Sequence, residues 1–410
     1  IDALEPDWHI WETFQTSEAS MALQRDATDG VQSVHVQVED PAEIDSIFDS
    51  AIVYAKGARM LVMVRGMIGD DALRQGLKQY FISHKYGNAT GDDLWQALGD
   101  ASGIQVGDIM NTWLEQPGYP VLTAAVKDGQ LTITQQQFFI GEGHEVGRQW
   151  KLPLNSNYKA APAILSDHTA VLGDYQALRQ TNGQPFRLNV GNNSHFIVKY
   201  DQTLMDDILA HVDDLTPIDQ LQLLQDYRLL AEGRQMSYAS VVPLLDRFAD
   251  SHSTVVNAAL YQLAGNLRKF VTPDSDEEQH LQPLYDQLSA GQVQRLGWMP
   301  KAGESNDDQL TRPYVLSAAL FAKNKAAILA AQELFEGNQA QLPSLPADIR
   351  VFVLRNEVKN FGNAALFDQL LNTYRKTSDA SYKADICDAL TATPDTKLLG
   401  QLIDAFEDAA

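Results

Sequence analysis

Apolar side chains recur at a helical period at the start of the chain, alternate with polar ones in the middle, and return to the helical period thereafter. Residues 1–116 read as helices. Ile1, Leu4, Trp8 and Trp11 fall at helical spacing, Ile52–Met67 carries an apolar stripe, and Ala72–Tyr80 carries another. Asn88–Leu98 has a start signal: Thr90 at the N-cap, and Asp92 and Asp93 in the first turn, where the helix dipole favours negative charge. The run Gln116-Pro117-Gly118-Tyr119-Pro120 then breaks any helix.

Over residues 117–202 the period becomes 2. Leu131 and Ile133 alternate with threonines in Gln130–Gln136, and Asp128-Gly129 between two such runs predicts a hairpin. Short strands are expected at Trp150–Pro153, Ala161–Leu165, Arg187–Val190 and His195–Tyr200. About seven short strands over roughly 80 residues predict a small antiparallel, Ig-like β-sandwich.

Residues 203–410 are helical again, with short polar breaks. The expected helices are Leu204–Val212, Pro217–Leu230, Tyr238–Ala249, Val255–Val271, Leu281–Leu288, Arg312–Phe321, Ala326–Phe335, Asp348–Lys359, Ala364–Arg375 and Tyr382–Leu390. They fall into antiparallel-looking pairs of roughly 35–45 residues, the period of a stacked HEAT/armadillo-like superhelix; an irregular helical domain is the alternative. Leu398, Leu402, Ile403 and Phe406 make one more apolar face. Ile1 opens a helical pattern with no capping residue ahead of it, so the expectation is a sequence cut at both ends, with an incomplete superhelix. The fold class is mainly α with a small β-sandwich, divided at 1–116, 117–202 and 203–410.

Composition narrows the function. A chain of 410 residues suggests about two to four domains. Its formal charge of −23 argues against nucleic acid and anionic membrane as partners, since both require clustered Lys and Arg. No segment approaches the run of about 18 apolar residues needed to span a bilayer, and no signal peptide is visible. The single cysteine, Cys387, excludes an internal disulfide, fits a reducing cytoplasm, and is expected to be a buried helix residue.

A search for metal chemistry finds no helical His-Glu-x-x-His pattern, the spacing that puts two imidazoles and a water-activating carboxylate on one face. In His144-Glu145-Val146-Gly147-Arg148, Arg148 stands where the second ligand belongs, and Gly141, Gly143 and Gly147 mark a loop. His9 and Glu12 lie one turn apart and read as a surface pair. More informative is Phe48-Asp49-Ser50-Ala51-Ile52-Val53-Tyr54-Ala55-Lys56-Gly57-Ala58. On physical grounds alone, Gly57 and Ala58 permit close helix packing, Lys56 could be solvated, and Tyr54 could be a core-edge aromatic.

That segment, Phe48-Asp49 followed by Tyr54-x-Lys56-Gly57-Ala58, resembles the catalytic-tyrosine segment of zinc aminopeptidases related to aminopeptidase N, and the cytosolic bacterial branch in particular. Family-like features follow in order. Ser33-x-His35 and Pro41-Ala42-Glu43-Ile44 resemble the loop entering that helix, although Val36 stands where the family usually has Pro. Tyr80, Tyr86, Asn88-Ala89-Thr90 and Asp93-Leu94-Trp95 resemble the close of the catalytic domain, and Trp113, Gln116 and Gly118-Tyr119-Pro120-Val121 the junction to the β-domain. Arg187-Leu188-Asn189-Val190 and Val198-Lys199-Tyr200-Asp201 resemble its final strands; Thr311-Arg312-Pro313 and Glu357–Asn363 resemble parts of the helical domain.

The resemblance implies the helical end of a thermolysin-like domain, the sandwich and part of the superhelix. It also implies a full-length enzyme that uses zinc to remove N-terminal residues from peptides. The zinc ligands, the general base and the residues that bind the substrate amine would belong to missing N-terminal segments of the same polypeptide. One catalytic role carries over. Tyr54 matches the tyrosine whose hydroxyl donates a hydrogen bond to the oxyanion formed at the scissile carbonyl, with Lys56, Gly57 and Ala58 as its scaffold. The chain alone is then expected to bind no zinc and to be inactive, its superhelix covering the active site in the whole enzyme. The competing expectation is a non-catalytic helical-repeat scaffold or peptide-binding protein, which would have no use for an exposed Tyr54.

Overall fold

The computed structural model describes residues 2–407, so Ile1, counted in the opening apolar stripe, lies outside the described residues. The chain is mainly helical with a small sheet and divides into two compact units, Ile1–Leu244 and Leu245–Ala410.

The first unit opens with α1 (Ile10–Phe14), a π-helical turn at Gln15–Ala19 and α2 (Ser20–Asp26). The helix expected through Leu4 and Trp8 does not form. Pro6 starts a single 3-10 turn, His9 is left-handed (φ 46°), and Leu4 and Trp8 stay exposed. A short α3 (Ile44–Ile47) leads to a second π-helical turn, Ala51–Lys56, which runs directly into α4 (Gly57–His84). The two stripes expected at Ile52–Met67 and Ala72–Tyr80 share α4, which is broken at Gly69, where φ is 80° and ψ 163°. Next come α5 (Gly91–Ser102) and α6 (Val106–Leu114). Thr90 and Asp93 form a capping box at the start of α5, and left-handed Gly103 ends it, so local chemistry sets both boundaries.

The β-region holds a four-stranded sheet and a two-stranded one. The strands are β1 (Pro120–Lys127), β2 (Gln130–Gln137), β3 (Leu152–Pro153), β4 (Ile164–Leu165), β5 (Thr169–Asp174) and β6 (Ile197–Tyr200), with α7 (Tyr175–Asn182) between the last two. The larger sheet has the order β5-β2-β1-β6, and β3 pairs with β4. Asp128-Gly129 closes the β1–β2 hairpin with both residues at positive φ (49° and 79°), as a primed turn requires.

Three strand expectations need correction. The sheet is not wholly antiparallel, because β6 runs parallel to β1. Trp150 does not join a strand: its N–H donates to Gln135 Oε1 and its carbonyl accepts from Gln135 Nε2. Arg187–Val190 is a loop, since Asn189 is left-handed (φ 54°) and its amide side chain bonds the backbone of Ser194 in both directions. Residues 175–182 form a helix within the region expected to be β: Asp174 caps Ala177 N–H, and left-handed Gly183 terminates the helix.

After β6 come α8 (Gln202–Leu209), α9 (Pro217–Glu232) and α10 (Tyr238–Leu245), followed by α11 (Thr254–Leu267), α12 (Asp276–Leu296), α13 (Asn306–Phe321), α14 (Lys325–Asn338), α15 (Ala347–Asn360), α16 (Ala364–Lys376), α17 (Ala380–Leu390) and α18 (Thr396–Glu407). Ser275, Ser305, Asn324, Asn363 and Asp379 each accept an N–H of the helix they cap. The caps at Ser275 and Ser305 start α12 and α13 more than a turn before the expected Leu281 and Arg312, and α12 runs on past the expected Leu288 to Leu296. Within the second unit α11, α13, α15 and α17 pack in succession, while α12, α14 and α16 each lie against the next odd-numbered helix. The apolar residues between these helices form one core, including Trp298, Leu316, Phe335, Val353, Ile386 and Leu402. Arg312, fully buried, pairs with Glu304, and Arg350 bonds Asp385 at 2.5 Å while lying over the Tyr382 ring. Cys387 is half-buried in α17 rather than fully buried. Among the described residues no single helix is long and apolar enough to cross a membrane.

Candidate active-site segment

The segment singled out in the sequence forms the π-helical turn Ala51–Lys56. A π-turn inserts one extra residue into helical winding, and such insertions concentrate at functional positions. The wide ring is visible where Gly57 N–H reaches back to Ile52 O. Ile52, Ala55 and Lys56 are fully buried, whereas Tyr54 is 63% exposed. The nearest aromatic partner of Tyr54 is Phe48, with ring centroids 6.4 Å apart and planes tilted at 45°.

Two adjacent residues of α2 grip this turn. At its start Arg25 Nε donates to Asp49 Oδ2 at 2.6 Å. Asp49 Oδ1 accepts Ala51 N–H at 3.0 Å, and Asp49 O accepts the N–H groups of Ile52 and Val53. At its end the Lys56 ammonium lies 2.8 Å from Asp26 Oδ2, with neither side chain exposed, and donates to Gly118 O at 3.2 Å. Asp26 also accepts Gly118 N–H (2.9 Å) and His195 Nε2–H (3.0 Å). Lys56, expected to be solvated or mere scaffold, is the cation of a dry cluster.

The electrostatics follow from burial and pairing. Burial works to raise the Asp26 carboxyl, but Lys56 and His195 outweigh it and hold it at about 2. Burial lowers the His195 imidazole to about 4 against the opposing pull of Asp26, so the ring is neutral at pH 7. With Nε2 donating to the carboxylate, Nδ1 is a bare acceptor, buried and without a partner. The ring meets Tyr119 and Trp113 edge-on, at centroid distances of 5.1 and 6.0 Å.

One turn along α4, the buried Arg59 guanidinium bonds Gln15 Oε1, Asn192 Oδ1 and Ser194 O, each at 2.8 Å. Burial lowers it to about 9, with Asp226 opposing, so it remains a cation. The Asn189–Ser194 loop is therefore the acceptor cradle for Arg59.

Among the described residues no group of three His, Cys, Asp or Glu side chains could hold a metal ion. His144 bonds Asp29, and His9 lies 3.7 Å from Glu12 at the surface. The residues present do not fit a zinc centre. Nothing in the local sequence marked Asp26 or His195; they lie 169 positions apart and meet only through folding.

Comparison with known proteins adds an independent line. Residues 1–113 match the peptidase family M1 domain, and residues 186–409 match the ERAP1-like C-terminal domain. The chain is 61% identical over 410 residues to an aminopeptidase N of Lactobacillus helveticus, covering 100% of this chain and 48% of that protein. It is 44% identical over 410 residues to an aminopeptidase N of Lactococcus lactis subsp. cremoris (strain MG1363), again covering 100% and 48%. An aminopeptidase M1 of Arabidopsis thaliana is 30% identical over 427 residues, covering 98% and 48%. The chain spans about half the length of the curated relatives it matches.

Proposed function

The chain belongs to peptidase family M1, and from that premise we propose that it is part of a longer zinc aminopeptidase that removes N-terminal residues from peptides, to which it contributes Tyr54. The observation that carries the reading is the exposure of Tyr54 on a clamped π-turn whose neighbours are buried. A phenol is neutral at pH 7 and donates one hydrogen bond, which suits it to the carbonyl oxygen as negative charge develops there. The ligands of the zinc that the family implies belong, on this reading, to the rest of the polypeptide. The exposed Phe48, Leu61, Phe81 and Ile82 support further polypeptide covering this helical layer.

The finer architecture is part of the proposal. Residues 1–116 end a thermolysin-like domain, 117–202 form an Ig-like sandwich, and 203–410 belong to a HEAT-like superhelix that covers the active site. The alternating packing of α11–α17 supports the last of these. The lone cysteine and the absence of a long apolar helix among the described residues are compatible with a cytoplasmic enzyme. Steady-state kinetics of the intact polypeptide on aminoacyl anilides, with and without Tyr54→Phe, tests the reading. Unchanged turnover would return the scaffold alternative to first place.

A further inference from the structure

We propose that Arg25 and Asp26 are positioning residues: from adjacent places on α2 they hold the two ends of the Ala51–Lys56 turn and thereby aim the Tyr54 hydroxyl. The inference rests on the reading of Tyr54 given above. The two grips have opposite polarity. Arg25 supplies a cation to Asp49 at the N-terminal end, and Asp26 supplies an anion to Lys56 at the C-terminal end. Both ends of one turn are thus fixed to a single short helix, with Tyr54 between them.

The need for a clamp comes from the turn itself. A π-turn has poorer bonding than α-helix and persists where its surroundings hold it. Relaxation to α winding would shift the helical register by one residue and rotate Tyr54 by about 100° relative to α4. Stability alone does not explain the buried pair. Desolvating an ammonium and a carboxylate costs so much that well-packed apolar side chains of similar volume often do as well or better. Fixed geometry is what the ions add: Asp26 Oδ1 takes Gly118 N–H while Oδ2 takes Lys56 and His195, so the carboxylate cannot rotate without breaking a bond.

The test uses the intact enzyme with Lys56→Met, Arg25→Met and Tyr54→Phe, singly and combined, together with Lys56→Arg. Hydrogen exchange at residues 51–57 should accelerate in Lys56→Met. Its kcat should fall by about 10–100-fold with KM nearly unchanged, the scale expected when a catalytic group is displaced by about 1 Å. In the Tyr54→Phe background the same change should cost no further kcat, because the hydroxyl it aims is gone. Lys56→Arg should restore most of the rate. Arg25→Met, on the surface, should act in the same direction more weakly, and it decides the matter if Lys56→Met fails to fold. Equal kcat losses with and without the Tyr54 hydroxyl would overturn the clamp alone, as would wild-type kcat in the folded variants. Normal turnover of Tyr54→Phe would overturn the reading of Tyr54, and the clamp with it.

Discussion

Tyr54 and Lys56 stand two residues apart on one π-helical turn, yet Tyr54 is 63% exposed and Lys56 is sealed at 0%. The separation of roles follows from that difference. The buried member anchors the turn to Asp26, and the exposed member presents its ring at the surface.

Tyr54→Phe removes only a hydroxyl and keeps the ring beside Phe48. If the hydroxyl donates to a developing oxyanion, its contribution is larger in the transition state than in the ground state. The expected loss in the intact enzyme is about 10²–10³-fold in kcat, with KM changing much less. A core-edge tyrosine would instead show nearly normal turnover and a stability loss of about 1 kcal/mol. Steady-state kinetics on folded protein separates the two outcomes.

Acid should destabilise the first unit in a defined window. His195 titrates near 4 when folded against its usual 6.5, and Asp26 near 2 against 3.8. Both groups bind fewer protons folded than unfolded, so stability rises with pH. The His195 contribution is fully present above 6.5 and is lost as pH falls toward 4; that of Asp26 is lost between about 4 and 2. The first step amounts to about 2–3 kcal/mol. Thermal denaturation between pH 7.5 and 4 should show the decline, and His195→Gln should flatten it. Buried Asp226, whose carboxyl burial raises, works in the opposite direction, so the decisive comparison is between the two proteins: a pH dependence unchanged in His195→Gln would refute the assignment.

Gly69 divides α4 at φ 80° and ψ 163°, a region essentially restricted to glycine. No atom lies within 4 Å of where a Cβ would stand, so the effect of Gly69→Ala is one of backbone strain alone. The expected cost is about 1–3 kcal/mol. A variant as stable as the parent in urea would mean that α4 straightens at no cost.

The helices were the most legible part of the sequence because their boundaries depend on neighbours in the chain. Thr90 with Asp93 and Asn363 before α16 are local signals that the structure uses as such, whereas Ser305 starts α13 well before the expected Arg312. The short strands were less legible, since Trp150 and Arg187–Val190 are shaped by distant partners, Gln135 and Ser194 among them. The role proposed for Tyr54 comes from the resemblance of its segment, since the residues alone left a core-edge aromatic open. The Asp26–Lys56–His195 cluster was not legible, because each member alone resembles an ordinary surface residue and the three meet only after α2, the Ala51–Lys56 turn and the loop before β6 are assembled.

That cluster also separates stability from aim. Asp26→Leu would leave the Lys56 ammonium buried without its counter-ion, a loss of about 3–5 kcal/mol for a broken internal ion pair. Lys56→Met leaves the carboxylate with His195 and Gly118 N–H, so it should cost less. The double variant Asp26→Leu/Lys56→Met removes both charges and restores apolar packing. It should be more stable than Asp26→Leu alone, retaining a cost of about 1–3 kcal/mol for each of the His195 and Gly118 N–H groups that have lost their acceptor. Urea denaturation of the four proteins gives the coupling directly. Simple additivity would mean that the pair is not coupled in the way its 2.8 Å separation implies. If the coupling appears, the double variant becomes the sharper probe of function: a folded protein with the C-terminal clamp removed, whose intact-enzyme kcat should remain depressed although part of its stability has returned.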